Sequence, residues 1–582
     1  MIDATVPADV FTPEKLSDEH RLIAQTTDEF VTNEVLPNLD QLEQKDWDLA
    51  RRLVRRAGDL GLMGLDVPEE YGGVGLDKTS SLVVSDHIAR SASFGATYGA
   101  QVNLAILPIF LFGTAGQKQK YLPKLVSGEL VGAYALSESG SGSDALGAKA
   151  RAVRQADGSF ILNGEKMWIT NGGLADVFIV FVKVDGEHFT AFIVERAFPG
   201  VSNGKEEHKM GLHGSSTTPL ILQDVRAPAE NLLGEIGKGH KVAFNVLNFG
   251  RFKLGAMCTG GAKEAIKEAA TYAAQRRQFG QPIANFGAIK YKLAEMVART
   301  FAVESLLYRT AGLIDSWLEQ SPPKQATDGS AVLAALEEFA VEASIAKVNG
   351  SEVLDYVLDE NIQIHGGNGF VRDYPAERHY RDSRVNRIFE GTNEINRLLI
   401  PGMLARRAVK GDLPLIAAAR ELQNEILGGP TALEPVGDTP LEQELRATAA
   451  FKKVALMVIG MAMQTYGDKL ADEQEVLTCA ADIIIDAYGS ESAVLRALDA
   501  DARSLATSAL QIDAARVFVN DAAGRIELAA KDALAAMAEG DTLRTMLVAL
   551  RRLLKGTPVN AVLLRRRLAE ATTIRGGYPF SA

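Results

Sequence analysis

The sequence predicts a mainly α-helical protein with a central β domain. Three observations lead there: helical periodicity over the first 130 residues, short β-branched and aromatic runs from about 131 to 235, and long helical patterns from 236 onward. At 582 residues the chain exceeds what one ordinary core organises, so several packing units are expected.

From about residue 16 to 130 strong helix formers dominate, with breakers such as Gly72-Gly73 between segments, and 1–130 is assigned as a helical domain. VFIVFVKV from Val177, FTAFIVE from Phe189 and LILQDVRAP from Leu220 then read as strands separated by Gly, Asn and Asp. They place a small barrel or two packed sheets over 131–235. Ile289, Leu293, Met296 and Val297 recur at i, i+4, i+7 and i+8, one stripe of an amphipathic helix, within a helical bundle assigned to 236–410. GGPTALEPVGDTP from Gly428 cannot continue a helix, and a linker is assigned to 411–440. From Leu441 to about Ala571 the residues are Ala, Leu, Arg and Glu with almost no Pro or Gly, which predicts an additional helical domain over 441–582.

The 62 basic against 74 acidic residues give a net charge of -12, which opposes general attraction to nucleic acid, so no nucleic-acid partner is expected. Cys258 and Cys479 stand in no CxxC or Cys/His spacing, which argues against disulfides and metal sites and fits a reduced cytoplasm. The opening MIDATVPADVFTPEKL lacks a basic segment followed by an apolar core, so no targeting peptide is read there. The nearest candidate for a membrane span, VALMVIGMAM from Val454, is too short.

Three stretches carry chemistry. In AYALSESGSGSDALGAKA from Ala133, glycines let a ligand approach backbone amides, and Ser137, Ser141 and Ser143 add donors. The glycines at 140, 142 and 147 do not make a dinucleotide fingerprint, and a plain surface loop accounts for the stretch equally well. In NGEKMWITNGG from Asn163, Trp168 alternates with Thr170 along a strand, offering a flat apolar ring beside a hydroxyl for a planar cofactor; a core Trp is the ordinary alternative. In RVNRIFEGTNEINRLL from Arg384, Glu390 precedes Gly391, Thr392 and a helix. A carboxylate there serves as a helix-start charge, or, with no side chain at Gly391, stands where a carbonyl can be polarised while its neighbouring proton is taken.

Together and in this order these stretches resemble the acyl-CoA dehydrogenase family over at least residues 16 to 405. The resemblance implies an N-terminal helical domain, a middle β-barrel, a C-terminal four-helix bundle, and FAD as cofactor. ALSESGSGSDALG from Ala135 is similar to the family's flavin signature, which implies FAD contacts at Tyr134, Leu136, Ser137, Gly142 and Ser143, with Ser143 also touching acyl-CoA. Trp168, Ile169 and Thr170 match the tripeptide at the flavin ring. QRRQFGQPI from Gln275 and QIHGGNGF from Gln363 resemble segments that hold a neighbouring subunit's FAD, implying Arg276, Arg277, Gln278, Phe279 and Gln363 to Gly367, including Gly366 and Gly367; Thr392 and Glu394 belong to its phosphate end.

The same resemblance makes Glu390 the catalytic base. Its amide and a ribityl hydroxyl of FAD would polarise the thioester while hydride leaves the β-carbon, giving a trans-2-enoyl-CoA, the first step of fatty acid β-oxidation. Some branches carry the base just before an arginine in a middle helix; here LNFGRFK from Leu247 has Gly250 at that position. Asn248 and Arg251 fall where the family contacts substrate, though Asp is frequent where Asn248 stands, and Gly391 borders the reacting carbonyl.

The length beyond residue 405 resembles the very-long-chain branch, which implies a homodimer, long acyl chains and electron-transfer flavoprotein as partner. GPTALEPVGDTP has no Lys or Arg where that branch has a basic segment used at membranes, which weighs against membrane association. Ala105 and Pro108, in the helix expected to floor the acyl pocket, replace glycines without plugging it. An acyl-CoA oxidase and a non-catalytic scaffold are the alternative functions. A serine hydrolase is disfavoured by the lack of a G-x-S-x-G elbow.

Overall fold

The structure, a computed structural model, describes residues 5–321, 329–427 and 440–580. The N-terminal helices include Asp18–Phe30, Trp47–Asp59, Lys78–Ile88, Ala92–Gly99 and Ala115–Val126. Their starts follow from local chemistry: Ser17 and Thr114 each close a capping box with the residue three on, His20 and Gln117, and Asp46 and Asp77 accept from amides of the first turn. Ala92–Gly99 runs on through a π-helical stretch, Ala100–Ile106, into Leu107–Phe112. By length and mean hydropathy, 1.3, residues Ala92–Phe112 would suffice for a bilayer, which corrects the expectation that only Val454 onward came near. With 78% of that window buried, it is a core helix.

The middle domain has eight strands: β1 Gly132–Ala135, β2 Arg151–Arg154, β3 Phe160–Thr170, β4 Val177–Val184, β5 His188–Glu195, β6 Val201–Asn203, β7 Thr217–Ala227 and β8 Leu232–Leu233. They pair in the order β6-β7-β3-β2-β4-β5-β8, with β1 parallel to the first half of β4. Phe160 of β3 and Phe192 of β5, three places apart in that order, meet ring to ring at 5.0 Å, so the sheet curls around its own interior, barrel-like but with an open hydrogen-bonding path. β4 is buried on both faces: Phe178, Val180 and Val182 point into that interior, and Val177, Ile179 and Phe181 into the helical core. That double burial explains why its sequence is a continuous apolar run.

The bundle that follows contains Gly239–Gln275, Gly287–Glu319, Ala340–His365 and Asn393–Lys410. Leu293, Met296 and Val297 are fully buried on the predicted stripe. Gly239–Gln275 and Ala340–His365 touch backbone to backbone, since a Cβ at Gly255 would stand 2.8 Å from the Ala346 carbonyl oxygen and one at Gly350 3.0 Å from the Gly255 Cα. Helix Leu415–Leu427 occupies part of the segment assigned as linker. LIAAARELQNEIL consists mostly of good helix formers between Pro414 and Gly428, and Leu415 and Leu422 are buried, Leu415 in a cluster with Ala408 and Ile459. The Gly- and Pro-rich residues 428–439 lie outside the described residues.

The last block holds Glu442–Tyr466, Gln474–Ala502, Ser508–Met537, Gly540–Leu553 and Ala561–Arg575. A buried ionic network fastens it to the rest. Arg496 pairs with Glu14 at 2.7 Å and Glu304 at 2.6 Å; Lys263 pairs with the same Glu304 at 2.6 Å and with Asp86 at 2.5 Å; the Tyr578 hydroxyl donates to Glu304 at 2.8 Å. Glu14 and Tyr578, from opposite ends of the sequence, thus join one network around Arg496 and Glu304.

Candidate active site

Phe389 closes a short helical turn by donating to the Val385 carbonyl at 3.1 Å, after which Glu390 and Gly391 both adopt left-handed backbone, φ +58° and +79°. For Glu390 that conformation costs about 1 kcal/mol or more and persists only where neighbours over-determine it. They do. Arg251 Nε donates to the Glu390 carbonyl at 3.0 Å, Lys347 Nζ to the Gly391 carbonyl at 2.8 Å, and Asn396 Nδ2 to the Gly391 and Thr392 carbonyls at 2.8 and 3.0 Å. Thr392 then caps the helix Asn393–Lys410, its hydroxyl accepting from the Ile395 amide at 3.2 Å. The Glu390 amide donates to no carbonyl among the described residues.

The Glu390 carboxylate is held without being neutralised. Its Oε2 is closed off from solvent and has no hydrogen-bond partner among the described residues. Burial pushes its pKa up to about 7, against the pull of the Arg251 and Lys347 cations. A Cβ at Gly250 would stand 3.0 Å from both carboxylate oxygens, so the helix packs its bare backbone on the acid. A carboxylate that is desolvated, unpartnered and half ionised near neutrality is suited to taking a proton from carbon.

From Glu390 a cavity runs between three helices. Gly250, Leu254, Met257, Gly261 and Glu264 follow one another at helical spacing along one wall, Gly95, Ala96 and Gly99 face them, and Leu354 and Leu358 complete it. From Gly250 to Glu264 the wall spans about 21 Å at 1.5 Å per residue. Its far end is ionic, with Arg90 bonded to Glu264 at 3.1 Å. Thr170 of β3 lines the same cavity as Glu390.

Family models match this chain in four consecutive pieces: Acyl-CoA dehydrogenase, N-terminal domain over 17–129, middle domain over 133–225, and two described as C-terminal domain over 237–404 and 450–552. A probable acyl-CoA dehydrogenase of Bacillus subtilis is 50% identical over 562 residues, covering 96% of this chain and 94% of that one. The chain belongs to the acyl-CoA dehydrogenase family. The crystal structure of a Bacillus anthracis acyl-CoA dehydrogenase complexed with FAD superposes with a TM-score of 0.98 at 51% identity, covering 99% of this chain and 98% of that one. Human very long-chain specific acyl-CoA dehydrogenase is 42% identical over 373 residues, 62% of this chain and 53% of that one. Butyryl-CoA dehydrogenase from Megasphaera elsdenii superposes with a TM-score of 0.61 at 38% identity, covering 67% of this chain and 99% of that one.

Within this acyl-CoA dehydrogenase fold the flavin-signature loop is built around a residue the sequence did not single out. Glu138 is buried, accepts from Lys166 Nζ at 2.6 Å and from the Lys149 and Ala150 amides at 2.6 and 3.1 Å; burial works against its charge, but these donors hold it below the usual carboxylate range. The Met167 amide donates to the Ser137 carbonyl at 2.9 Å, which brings Leu136 and Ser137 beside Trp168. Tyr134 lies on β1 with its hydroxyl 3.5 Å from the Ala243 carbonyl. Gly142 and Ser143 are exposed, and a Cβ at Gly140 or Gly142 would meet nothing within 4 Å.

Trp168 departs from the predicted alternation. The β3–β7 register shifts between Lys166 and Ile169, and Trp168 takes φ +58°, so it stands on a bulge with 58% of its surface exposed while Ile169 is buried. Arg276 is exposed just before a two-strand hairpin, Arg277–Gln278 with Gln281–Pro282, whose tip carries Phe279 at 92% exposure. Gln363, Gly366 and Gly367 are exposed at the end of the helix Ala340–His365, and Glu394 is exposed in the first turn of Asn393–Lys410.

Three site expectations change. Asn248 does not line the cavity: its Oδ1 accepts from Arg251 Nη1 at 2.9 Å and its Nδ2 donates to the Leu336 carbonyl at 3.3 Å, so it orients Arg251. The space left by Gly391 does not open toward the cavity, because a Cβ there would meet Asn396 Nδ2 at 3.2 Å and Arg251 Nη2 at 3.4 Å; its bareness lets these donors close on the turn. Ala105 and Pro108 are buried away from the cavity, and Asn103 and Leu104 line it instead. Sequence reasoning also missed Lys347, whose signal was a single lysine among Ile345, Ala346 and Val348, and the Asn393/Asn396 pair three residues apart after the Glu-Gly-Thr turn.

Proposed function

We propose that the protein catalyses FAD-dependent α,β-dehydrogenation of long-chain fatty acyl-CoA in the cytoplasm, acting as a homodimer and passing electrons to electron-transfer flavoprotein. The observation that carries this reading is Glu390, an unpartnered carboxylate with its pKa near 7, at the head of a long apolar cavity.

The residues present fit FAD. An exposed indole on a bulge, a hydroxyl two residues on that lines the reaction cavity, and a glycine loop whose Cβ positions are open offer a flat stacking surface, a hydrogen-bonding group and room for phosphate against backbone amides. When bound, FAD supplies the acceptor for the hydride that leaves the β-carbon. The exposed Phe279 hairpin and the bare Gly366-Gly367 turn line no part of the Glu390 cavity, which supports their serving a second subunit.

In the step this chain performs, Glu390 takes the α-proton. Its free amide is positioned as a donor to the thioester oxygen, and Arg251, Lys347 and Asn396 fix the turn from behind. The cavity wall excludes water and would straighten the acyl chain. At about 1.25 Å per methylene, a zigzag of about 1.5 Å bonds, the 21 Å wall takes a chain of about sixteen carbons.

Anaerobic titration of the flavoprotein with acyl-CoAs of increasing length tests this. The oxidised flavin band is expected to bleach most completely with chains near sixteen carbons, and Glu390→Gln is expected to keep FAD and lose bleaching. Strong bleaching of the Gln variant would remove Glu390 from its role. Hydrogen peroxide formed in step with substrate in air would replace electron-transfer flavoprotein with oxygen.

A further inference from the structure

Two cations flank the Glu390 turn, and among the described residues neither is paired with a carboxylate. Arg251 spends its hydrogen bonds on the Glu390 carbonyl and on Asn248 Oδ1. Lys347, fully buried on the helix Ala340–His365, donates to the Gly391 carbonyl and to Asn393 Oδ1 at 2.6 Å. Asn393 is itself fixed, its Nδ2 donating to Glu352 Oε1 at 3.0 Å, and Glu352 is taken up by Arg397 at 2.6 Å. A buried ammonium with only neutral acceptors is costly, because nothing offsets the loss of its hydration. A lysine kept under those terms needs a reason beyond packing.

The surrounding groups supply one. Facing Lys347 are Cys258 and Arg251 from the helix Gly239–Gln275, Glu390 from the turn, and Glu394 from the first turn of Asn393–Lys410; Tyr134 of β1 faces Glu390 and Arg251. Burial raises the Cys258 thiol to about 12 and Tyr134 well above its ordinary range, so both are neutral, and Glu394 is exposed to solvent. Glu390 is therefore the only buried anion among these groups, set against two buried cations.

We propose that Lys347 is a positioning residue whose fixed charge, with that of Arg251, holds the negative charge of the reaction as it moves from Glu390 to the acyl thioester. The inference rests on the dehydrogenase reading. As the Cα–H bond breaks, its proton goes to the Glu390 carboxylate and its electron pair becomes enolate charge on the thioester; that pair then forms the Cα=Cβ bond as hydride leaves Cβ for the oxidised flavin. Glu390 is neutral at that moment, and the two cations, which line no part of the cavity, act on the thioester charge from behind the turn, through the Glu390 and Gly391 peptide groups whose carbonyls they hold. The same charges serve both ends of the proton transfer without rearranging, which is electrostatic preorganisation.

The test uses holoenzyme with FAD bound and a 3-ketoacyl-CoA, whose α-proton is acidic and whose β-carbon has no hydride to give. Titrating the complex with base and following enolate absorbance reads the charge stabilisation directly. Lys347→Gln keeps a donor without charge, and Lys347→Met removes both. In each, the bound analogue is expected to ionise at least one pH unit higher than in the wild type, about tenfold in the equilibrium. The rate of bleaching by acyl-CoA supplies a second readout. Burial lowers Lys347 to about 8, so in the wild type its charge is present below that pH and lost as pH rises through it; the resulting fall in rate is expected to vanish in Lys347→Gln.

A lysine needed only for packing would alter melting or FAD content and leave the analogue's ionisation unmoved. An unchanged ionisation in Lys347→Gln overturns the proposal. Failure of both variants to hold FAD also overturns it, by making the residue a structural requirement. A wild-type protein that no acyl-CoA bleaches would instead sink the dehydrogenase reading.

Discussion

At the scale of single residues, the site is governed by what stands against one carboxylate. Gly250 leaves 3.0 Å between a would-be Cβ and both Glu390 oxygens, tight enough that the carboxylate must give way to any side chain there. Gly250→Ala is expected to retain FAD, because no flavin-loop residue is touched, and to slow single-turnover bleaching by pushing the base aside by a few tenths of an ångström, a smaller loss than the roughly 100-fold of a 1 Å misplacement. The raised pKa of Glu390 also fixes a sign for stability. A carboxyl held at about 7 when folded and near 4.5 when unfolded stabilises the fold in its protonated form, and that contribution fades as pH climbs from 4.5 through 7. Glu390→Gln escapes the loss, so its advantage in thermal melting over the wild type is expected to be on the order of 2 kcal/mol larger at pH 8 than at pH 4.5. Equal differences at the two pH values would show that the carboxyl is solvated. Glu390 was legible in the sequence only through its motif; nothing in the residue itself separates a base from a helix-start charge. Lys347 was illegible because a lone lysine in a helix ordinarily faces water, whereas this one is buried in a helix that packs at Gly350 against Gly255.

Among elements, the helix–sheet–helix–helix order could be read because periods of two and 3.6 alternate in blocks. β4 could be read as a strand, but its burial on both faces emerged only from the structure. The bulge at Trp168 could not be read, since no glycine or proline marks it and the register shift is imposed by pairing with β7. Helix Leu415–Leu427 was lost to the Gly- and Pro-rich residues after it. The Ala92–Phe112 stretch matters most for selectivity. A Cβ at Gly95 would meet Met257 Cε at 2.7 Å, and Met257 lies seven residues, about 10 Å, along the wall from Gly250. Gly95→Leu is therefore expected to close the cavity near its middle, so that acyl-CoAs of about eight carbons bleach the flavin as before and those of sixteen no longer do. Equal loss for both lengths would mean that the whole pocket had collapsed.

The whole molecule is joined by charge at a place where three domains meet. Arg496 has no exposed surface and is shared between Glu14 and Glu304, and Glu304 is held down to about 2, burial opposing and Lys263 and Arg496 prevailing. Its contribution to stability is present above about pH 4.5 and lost as pH falls toward 2. Arg496→Met leaves Glu14 without its buried cation and Glu304 with Lys263 alone, and is expected to cost about 3 kcal/mol. In denaturant the last helical block should then unfold before the rest, as two transitions where the wild type shows one. A single transition with an unchanged midpoint would mean that the apolar contacts of Gln474–Ala502 suffice.

That junction also imposes a timetable on synthesis. Glu14 and Arg496 are 482 residues apart, so an N-terminal segment that has already left the ribosome waits for its partner through most of translation. At about 5–20 residues per second the interval is about 25 to 100 seconds, ample for the preceding domains to fold in turn. Throughout that time Glu14 and Glu304 have no arginine between them, and Glu304 leans on Lys263 alone until nearly the last hundred residues emerge.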